Sequence, residues 1–493
     1  MIELGLSRIA RLVQSSPLPW KAIHIAGTNG KGSITSYLSA LLAAAGVRCG
    51  SFSSPHLIDR WDCITINDRV VRESVFRQAE DKVKFRNQSL GIGATEFELL
   101  TATAFEIFTL ENVDLGIVEV GMGGRLDATN VLNDSNVLVS IIAKIGYDHQ
   151  AILGDTIEKI TREKAGIMKP GVPCVVDGTN DPAVRSVLEE VARETQTPLA
   201  FTQPEAVTQE FPELGKIFER LNVELHQQAN IACAVTALGQ KNFLPPSLPL
   251  PSLFQHIPKT PRAGRLHEVS LKPLIARKQP VLLDGAHNPQ SAHVLCSYVD
   301  RNLRKQPCTR GDAHGSNHNV TWVIAASQGK DTQELFSCML KPGDNVAVVE
   351  FGPVDGMPWV RSVESAELLS VVRSGRVSMP NIARSEGFGG NIVSALTWAD
   401  EISKSSGCGR SGESGPMVVA GSLYLVSDVL RLLREANNNN IDVLETSYCT
   451  EYMILCYQDL GKAIVVVFVE MGLTYRWLGR VWHGPEQMLA INQ

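Results

Sequence analysis

The stretch "HIAGTNGKGS", His24 to Ser33, begins inside the apolar run "AIHIAG" (22–27) and runs into the helical pattern "SITSYLSALLAAAG" (33–46), which stops at Gly46. A buried strand, a glycine turn and a helix form the first half of a parallel α/β unit, and this geometry offers backbone N–H groups to an anion. The turn departs from the common phosphate-loop pattern, because Gly27 stands only three residues before Gly30 and Gly32 separates Lys31 from Ser33. The flanking strand and helix favour phosphate binding over a plain turn. The glycines permit close approach, Lys31 neutralises charge and Ser33 can reach magnesium.

Outward from the loop the alternation continues. Buried strands are expected at "LGIVEVG" (115–121) and "NVLVSIIA" (136–143), with helices over 98–110, 156–166 and 182–195. This pattern predicts a mostly parallel sheet covered on both faces. The Pro-rich segment 244–263 reads as a linker between domains. Beyond it, "PVLLDGA" (280–286), "TWVIAAS" (321–327), "DNVAVVEF" (344–351) and "PMVVAGS" (416–422) alternate with helical patterns, giving a second, smaller Rossmann-like α/β domain. The expected division is a phosphate-loop domain over 1–243, the linker, a C-terminal domain over 264–436 and a tail over 437–493 with no assigned role.

The composition fits this class. Over 493 residues, 44% apolar and 20% charged content describes a globular chain, and a net charge of -6 without basic runs gives no reason to expect a nucleic-acid partner. The ten cysteines stand singly, as suits a reducing compartment. Residues 1–20 lack the apolar core of a signal peptide and read as an amphipathic helix. The run "AIVVVFVEMGL" (463–473) is too short to span a bilayer. A cytoplasmic location is therefore expected, with a mitochondrial presequence as the alternative. Two polar insertions, 304–319 and 403–415, read as surface loops, and the histidines of the first lack the spacing of a metal site.

Several other segments carry chemistry. In "VEVGMGGRLDATN" (118–130), Glu119 ends a buried strand, where it could hold magnesium or form a structural salt bridge. "GYDHQAILGDTIEKITREKAGI" (146–167) offers Asp148, His149 and Lys164, each of which also has an ordinary structural reading. "LDGAHNP" (283–289) clusters Asp284, His287 and Asn288 in a turn that Asp and Asn could stabilise for local reasons alone. Arg262 and Arg265 follow the linker, where a guanidinium could face phosphate.

In order along about residues 1–436, "HIAGTNGKGS", "SSPHL" (53–57), "TEFELLTATAF" (95–105), "VEVGMGGRLDATN", the "DH" at 148–149, "REKAGI" (162–167), "QQANIACAVTAL" (227–238), "GRL" (264–266), "LDGAHNP" and "VAGSLYLVSDVL" (419–430) together resemble the folylpolyglutamate synthase and dihydrofolate synthase family, relatives of the Mur ligases. The off-pattern loop is that family's own variant. The resemblance implies ATP-dependent ligation of L-glutamate to a pterin-bearing carboxylate through an acyl phosphate, with two magnesium ions. It places ATP on Gly30, Lys31, Gly32, Ser33, Asn230, Arg265 and Asp284. Magnesium falls on Ser33, Ser54, Glu119 and His149, and a carbamylated lysine on Lys164. His287 would contact glutamate or the transferred phosphate. The acceptor falls on Thr95, Glu96, Phe97, Glu98, Leu126, Asp127 and Ala128.

"TEFELLT" stands where polyglutamylating eukaryotic members carry an aromatic-rich stretch, and "VEFGPVDGMPWV" (349–360) resembles fungal dihydrofolate synthases. Dihydropteroate is therefore the expected acceptor, with polyglutamylation of reduced folates as the runner-up. The expected partners are these small molecules alone, with no membrane and a monomeric chain. A switch NTPase would need neither the second domain nor the "GAHN" turn. A Mur-type cell-wall ligase would place a substrate domain before the loop.

Overall fold

The computed structural model describes residues 5–13, 18–240, 243–245, 247–259, 263–305, 318–374, 380–405, 414–438, 465–467, 478–482 and 488–492. Arg262, most of both polar insertions and most of the tail lie outside the described residues. The chain forms two compact units, Met1–Leu430 and Arg431–Gln493. In the second, β15 (Val465–Val467), β16 (Leu478–Trp482) and β17 (Met488–Asn492) pair antiparallel.

The first unit holds two α/β domains, each built on its own sheet. The N-terminal sheet contains β1 (Lys21–Ala26), β2 (Cys49–Phe52), β3 (Ile64–Ile66), β4 (Arg69–Val70), β5 (Leu115–Glu119), β6 (Val137–Ile142), β7 (Cys174–Asp177) and β8 (Leu199–Thr202). Its order is β4-β3-β2-β5-β1-β6-β7-β8, parallel except where β3 and β4 turn back at one edge. β1 lies between β5 and β6, with Lys21 opposite Leu115 and Ala26 opposite Ile142.

Strand alternation sends the side chains of β1 to opposite faces. Ile23 and Ile25 pack under helices Lys31–Ala44 and Leu225–Gly239. Ala22 meets the Trp20, Phe105 and Phe108 cluster, and Ala26 meets the layer formed by Ile157–Ala165 and Pro182–Thr195. The Pro-rich segment forms a 3-10 helix, Leu250–Lys259, whose Leu253, Phe254 and Ile257 join the Ile23 core.

The C-terminal sheet comprises β9 (His267–Val269), β10 (Val281–Leu283), β11 (Thr321–Ile324), β12 (Asn345–Val348), β13 (Arg384–Gly387) and β14 (Met417–Ala420). Its order is β13-β12-β11-β14-β10-β9, with only β9 antiparallel. Leu335, Phe336 and Met339 of helix Thr332–Met339 and Leu295 of helix Pro289–Val299 close one face over Trp322. Two buried ion pairs tie the outer elements down: Arg277 to Asp400 at 2.8 Å and Arg304 to Asp344 at 2.6 Å. Among the described residues no helix is long and apolar enough to cross a membrane.

Candidate active site

Parallel strands bring their carboxyl ends to one edge, and there the glycine turn leaves β1. Gly27 has φ +150°, and a Cβ on it would fall 2.7 Å from that of Ala143. Gly30 takes φ +93° at the start of helix Lys31–Ala44, so close to Asn230 that a Cβ would meet its Oδ1 at 2.3 Å. No side chain caps this helix. Its first N–H groups have no acceptors within the helix and make an anion site. Gly32 has an open flank, since a Cβ there would approach nothing closer than Glu119 Oε2 at 3.5 Å.

Glu119, at the end of β5, is only 3% exposed. Burial raises its carboxyl to about 6 against the opposing charges of Lys31 and Arg265. Lys31 Nζ lies 3.7 Å from Oε1, while Oε2 is buried with no hydrogen-bond partner. Among the described residues no three His, Cys, Asp or Glu side chains form a metal cage. Magnesium does not need one, because it keeps waters and takes one or two carboxylates plus substrate phosphates. The orphaned Oε2 beside the open Gly32 fits that demand.

Lys164 is buried in helix Ile157–Ala165, with Nζ donating to Gly27 O at 3.0 Å. Burial and the nearby Lys31 pull its amine down to about 7. His149 is partly exposed at a left-handed cap (φ +52°), 3.9 Å from Asp148 Oδ2.

Asp148 is where the C-terminal domain enters the site. His287 Nε2 lies 3.6 Å from Asp148 Oδ2, Lys330 pairs with Oδ1, and Asn288 Nδ2 donates to Oδ2 at 3.4 Å. Burial alone would raise this carboxyl, but His287, His149 and Lys330 hold it well below the usual carboxylate range. His287 Nδ1 donates to Gly285 O at 2.8 Å, leaving Nε2 toward Asp148. Asp284 shapes the same turn by accepting from the N–H groups of Leu266 and Ala286, both at 2.8 Å. Arg265 lies against Gly285, where a Cβ would fall 2.5 Å from its guanidinium.

The expected acceptor residues divide by what their side chains already do. Thr95 and Glu98 form the capping box of helix Glu96–Leu110, and Glu98 also pairs with Arg8 at 2.9 Å. The Asp127 carboxylate holds the loop after β5 together, accepting from Met122 N at 2.8 Å, Thr129 N at 3.0 Å and Thr129 Oγ1 at 2.6 Å. Ala128, in the same loop, is buried in the cluster that holds Leu99 and Ala102. Glu96 reaches Arg60 at 3.5 Å. Phe97 stacks on Phe52 at 6.2 Å and lies over Gly121, whose missing Cβ would fall 2.3 Å away. Leu126 is part-exposed. Sequence reasoning missed Asn29, Gln290, Lys330 and Arg60, which carry no spacing signal and join the site only through folding.

Residues 267–432 match a family model described as the dihydrofolate synthetase C-terminal domain. The chain is 36% identical over 446 residues to a probable dihydrofolate synthetase of Schizosaccharomyces pombe, spanning 88% of this chain and 99% of that one. It is 32% identical over 442 residues to the dihydrofolate synthetase of Saccharomyces cerevisiae, spanning 87% and 98%. The fold matches a bifunctional folylpolyglutamate synthase/dihydrofolate synthase from Yersinia pestis, complexed with AMPPNP and a Mn ion, with TM-score 0.64, 26% identity, and 88% and 94% coverage. Two α/β domains, the Gly-Lys-Gly-Ser loop and near-full-length likeness to two fungal enzymes lead to one conclusion: the chain belongs to the dihydrofolate synthetase/folylpolyglutamate synthase family of ligases.

Proposed function

We propose that this protein joins L-glutamate to 7,8-dihydropteroate, producing dihydrofolate, ADP and phosphate. The observation that carries this reading is the meeting at Asp148: the His287 turn and Lys330 of one domain converge beside the Lys31–Glu119 pair of the other. The likeness to the two fungal dihydrofolate synthetases supports dihydropteroate as acceptor.

In this reaction an oxygen of the pteroate carboxylate attacks the γ-phosphorus of ATP, and the bond to ADP breaks. The glutamate amine, having given up a proton, then attacks the acyl carbon, and phosphate leaves with the C–O electron pair. ATP lies on the Gly30–Ser33 N–H groups, with Asn230, Arg265 and Asp284 around it. Lys31 neutralises the transferring group. Ser33, Ser54, Glu119 and His149 would hold two magnesium ions, which supply charge stabilisation for the phosphoryl oxygens. Lys164, carbamylated, would add a negative charge beside them. Glu96, Phe97 and Leu126 offer side chains to the pteroate, on a scaffold fixed by Thr95, Glu98, Asp127 and Ala128. His287 receives glutamate or the leaving phosphate.

The catalytic body is proposed to comprise 1–243 and 264–436 joined by 244–263, acting as a cytoplasmic monomer, with 437–493 dispensable. The free, mostly buried described cysteines suit that compartment. The test is ADP release by purified protein with magnesium and ATP. Release should require dihydropteroate and L-glutamate together; turnover with tetrahydrofolate but not dihydropteroate would replace this reading with folylpolyglutamate synthesis.

A further inference from the structure

A contact between the phosphate loop and the His287 turn is used by none of the roles above. Asn29 Nδ2 donates to Gln290 Oε1 at 2.5 Å and, more weakly, to Asn288 Oδ1 at 3.5 Å. Asn288 returns a bond from Nδ2 to Asn29 Oδ1 at 3.3 Å. The Gln290 amide sits in a notch left by Gly146, where a Cβ would fall 2.8 Å from Gln290 Oε1. Thr28 fixes that notch: Gly146 N donates to Thr28 Oγ1 at 3.1 Å, and Thr28 Oγ1 donates to Gly146 O at 3.0 Å. Adjacent loop residues therefore build the socket and grip what enters it.

Asn288 is poorly placed to be the main latch. Its Oδ1 already caps helix Pro289–Val299 through Ser291 N at 2.9 Å, and its Nδ2 is shared with Asp148. The bond to Asn29 is the one side-chain hydrogen bond described for Gln290. We propose that Gln290 is a positioning residue: gripped by Asn29 in the Gly146 notch, it sets the separation between the phosphate loop and the His287 turn at which ligation occurs. This rests on the reading that ATP occupies the loop and glutamate the turn. With the reacting groups carried on different domains, a misplacement of about 1 Å costs on the order of 100-fold in rate.

The decisive variant is Gln290→Met, which keeps the length and removes the acceptor. In the full chain with ATP, magnesium, dihydropteroate and glutamate, kcat should fall roughly 10- to 100-fold, with KM for ATP and dihydropteroate within about threefold of wild type. Asn29→Ala combined with Gln290→Met should be no slower than the slower single variant, because Asn29→Ala already removes the bond that Gln290→Met breaks. Gly146→Ala, filling the notch from the other side, should act in the same direction. Independently of turnover, Gln290→Met should speed amide hydrogen exchange in the phosphate loop (27–33) and in the His287 turn (285–291). A kcat within twofold of wild type, a double variant whose loss is the product of the singles, or unchanged exchange in both segments would overturn the proposal. A wild type that releases no ADP with both substrates would instead defeat the functional reading, and the exchange comparison would still judge the clasp.

Discussion

Lys31 Nζ and Glu119 Oε1 face each other at 3.7 Å across the mouth of the sheet, while the second oxygen of that carboxylate is buried without a partner. A buried carboxylate satisfied on one side only is costly, and a cation on the open side removes that cost. Replacing Lys31 with Ala removes the fixed charge from this pair. Activity should fall about 100- to 1000-fold, the scale seen when one preorganised transition-state contact is lost. Leaving the buried Glu119 without its cation should also lower stability, by about 1–3 kcal/mol, which calorimetry separates from the loss of rate. A near-normal rate in the ADP-release assay would sink the phosphate-loop role.

Lys164 bears on a different chemistry. Burial together with Lys31 pulls its amine to about 7, so much of it is neutral and nucleophilic at neutral pH. Carbon dioxide reacts only with the neutral amine. Carbamate occupancy should therefore be high at pH 8 and decline as pH falls through 7. Protein equilibrated with 13C-bicarbonate should show a carbamate signal at pH 8 that weakens at pH 6 and is absent in Lys164→Ala. No such difference between wild type and variant at pH 8 removes carbamylation from the mechanism.

His24 links stability to pH. It is fully buried, with Nε2 at 2.9 Å from Thr129 Oγ1 and Nδ1 unpartnered, and burial lowers it to about 3. Because Thr129 Oγ1 donates to Asp127, the imidazole must donate from Nε2, and it stays neutral in the fold. The unfolded chain protonates this group near 6.5, so its contribution is complete above that value and is lost as pH falls toward 3. The loss should approach about 1.4 kcal/mol per pH unit. Urea unfolding at pH 7 and pH 5 should show a steeper decline for wild type than for His24→Asn. Parallel declines would exclude the imidazole as the cause.

The two loop glycines should respond differently to alanine. Gly30→Ala meets both a left-handed φ of +93° and Asn230 Oδ1 at 2.3 Å. The backbone term alone costs about 1–2 kcal/mol, and a second change, Asn230→Ala, should restore only the steric part of the lost stability. Gly32→Ala sits in the helix with room around it, so stability should hold or rise by up to about 1 kcal/mol. Its methyl group nevertheless occupies the approach to Glu119 Oε2, and ligation should slow. Calorimetry and the ADP assay separate these outcomes; a Gly32→Ala enzyme of full rate would show that nothing binds on that side.

The strand-turn-helix around Gly30 and the alternation in both halves were legible because each depends on neighbours in sequence. The antiparallel edge strands β3, β4 and β9 were not, since Ile64–Ile66 and His267–Val269 are too short for their period to stand out. Of the candidate site, the approach of Lys31 and Glu119 was legible, because each stands at or just beyond the end of a recognisable buried strand. It was opaque where a side chain's job depends on its partner: nothing in the spelling of Thr95 or Glu98 separates a helix cap from a substrate contact. The Asn29–Gln290 bond joins residues 261 positions apart, and no local pattern predicts it.

The position of β1 also bears on how the chain is made. Lys21–Ala26 finds its partners in Leu115–Glu119 and Val137–Ile142. At synthesis rates of about 5–20 residues per second, β5 leaves the ribosome roughly 5 to 20 s after β1. Throughout that interval Ile23 and Ile25 lack their sheet neighbours, and the nascent segment offers a sticky strand to whatever is near. The strand that delivers the phosphate loop, although made first, is thus secured only after β5 and β6 have emerged. Early truncation products should be far more dependent on chaperones than the finished enzyme.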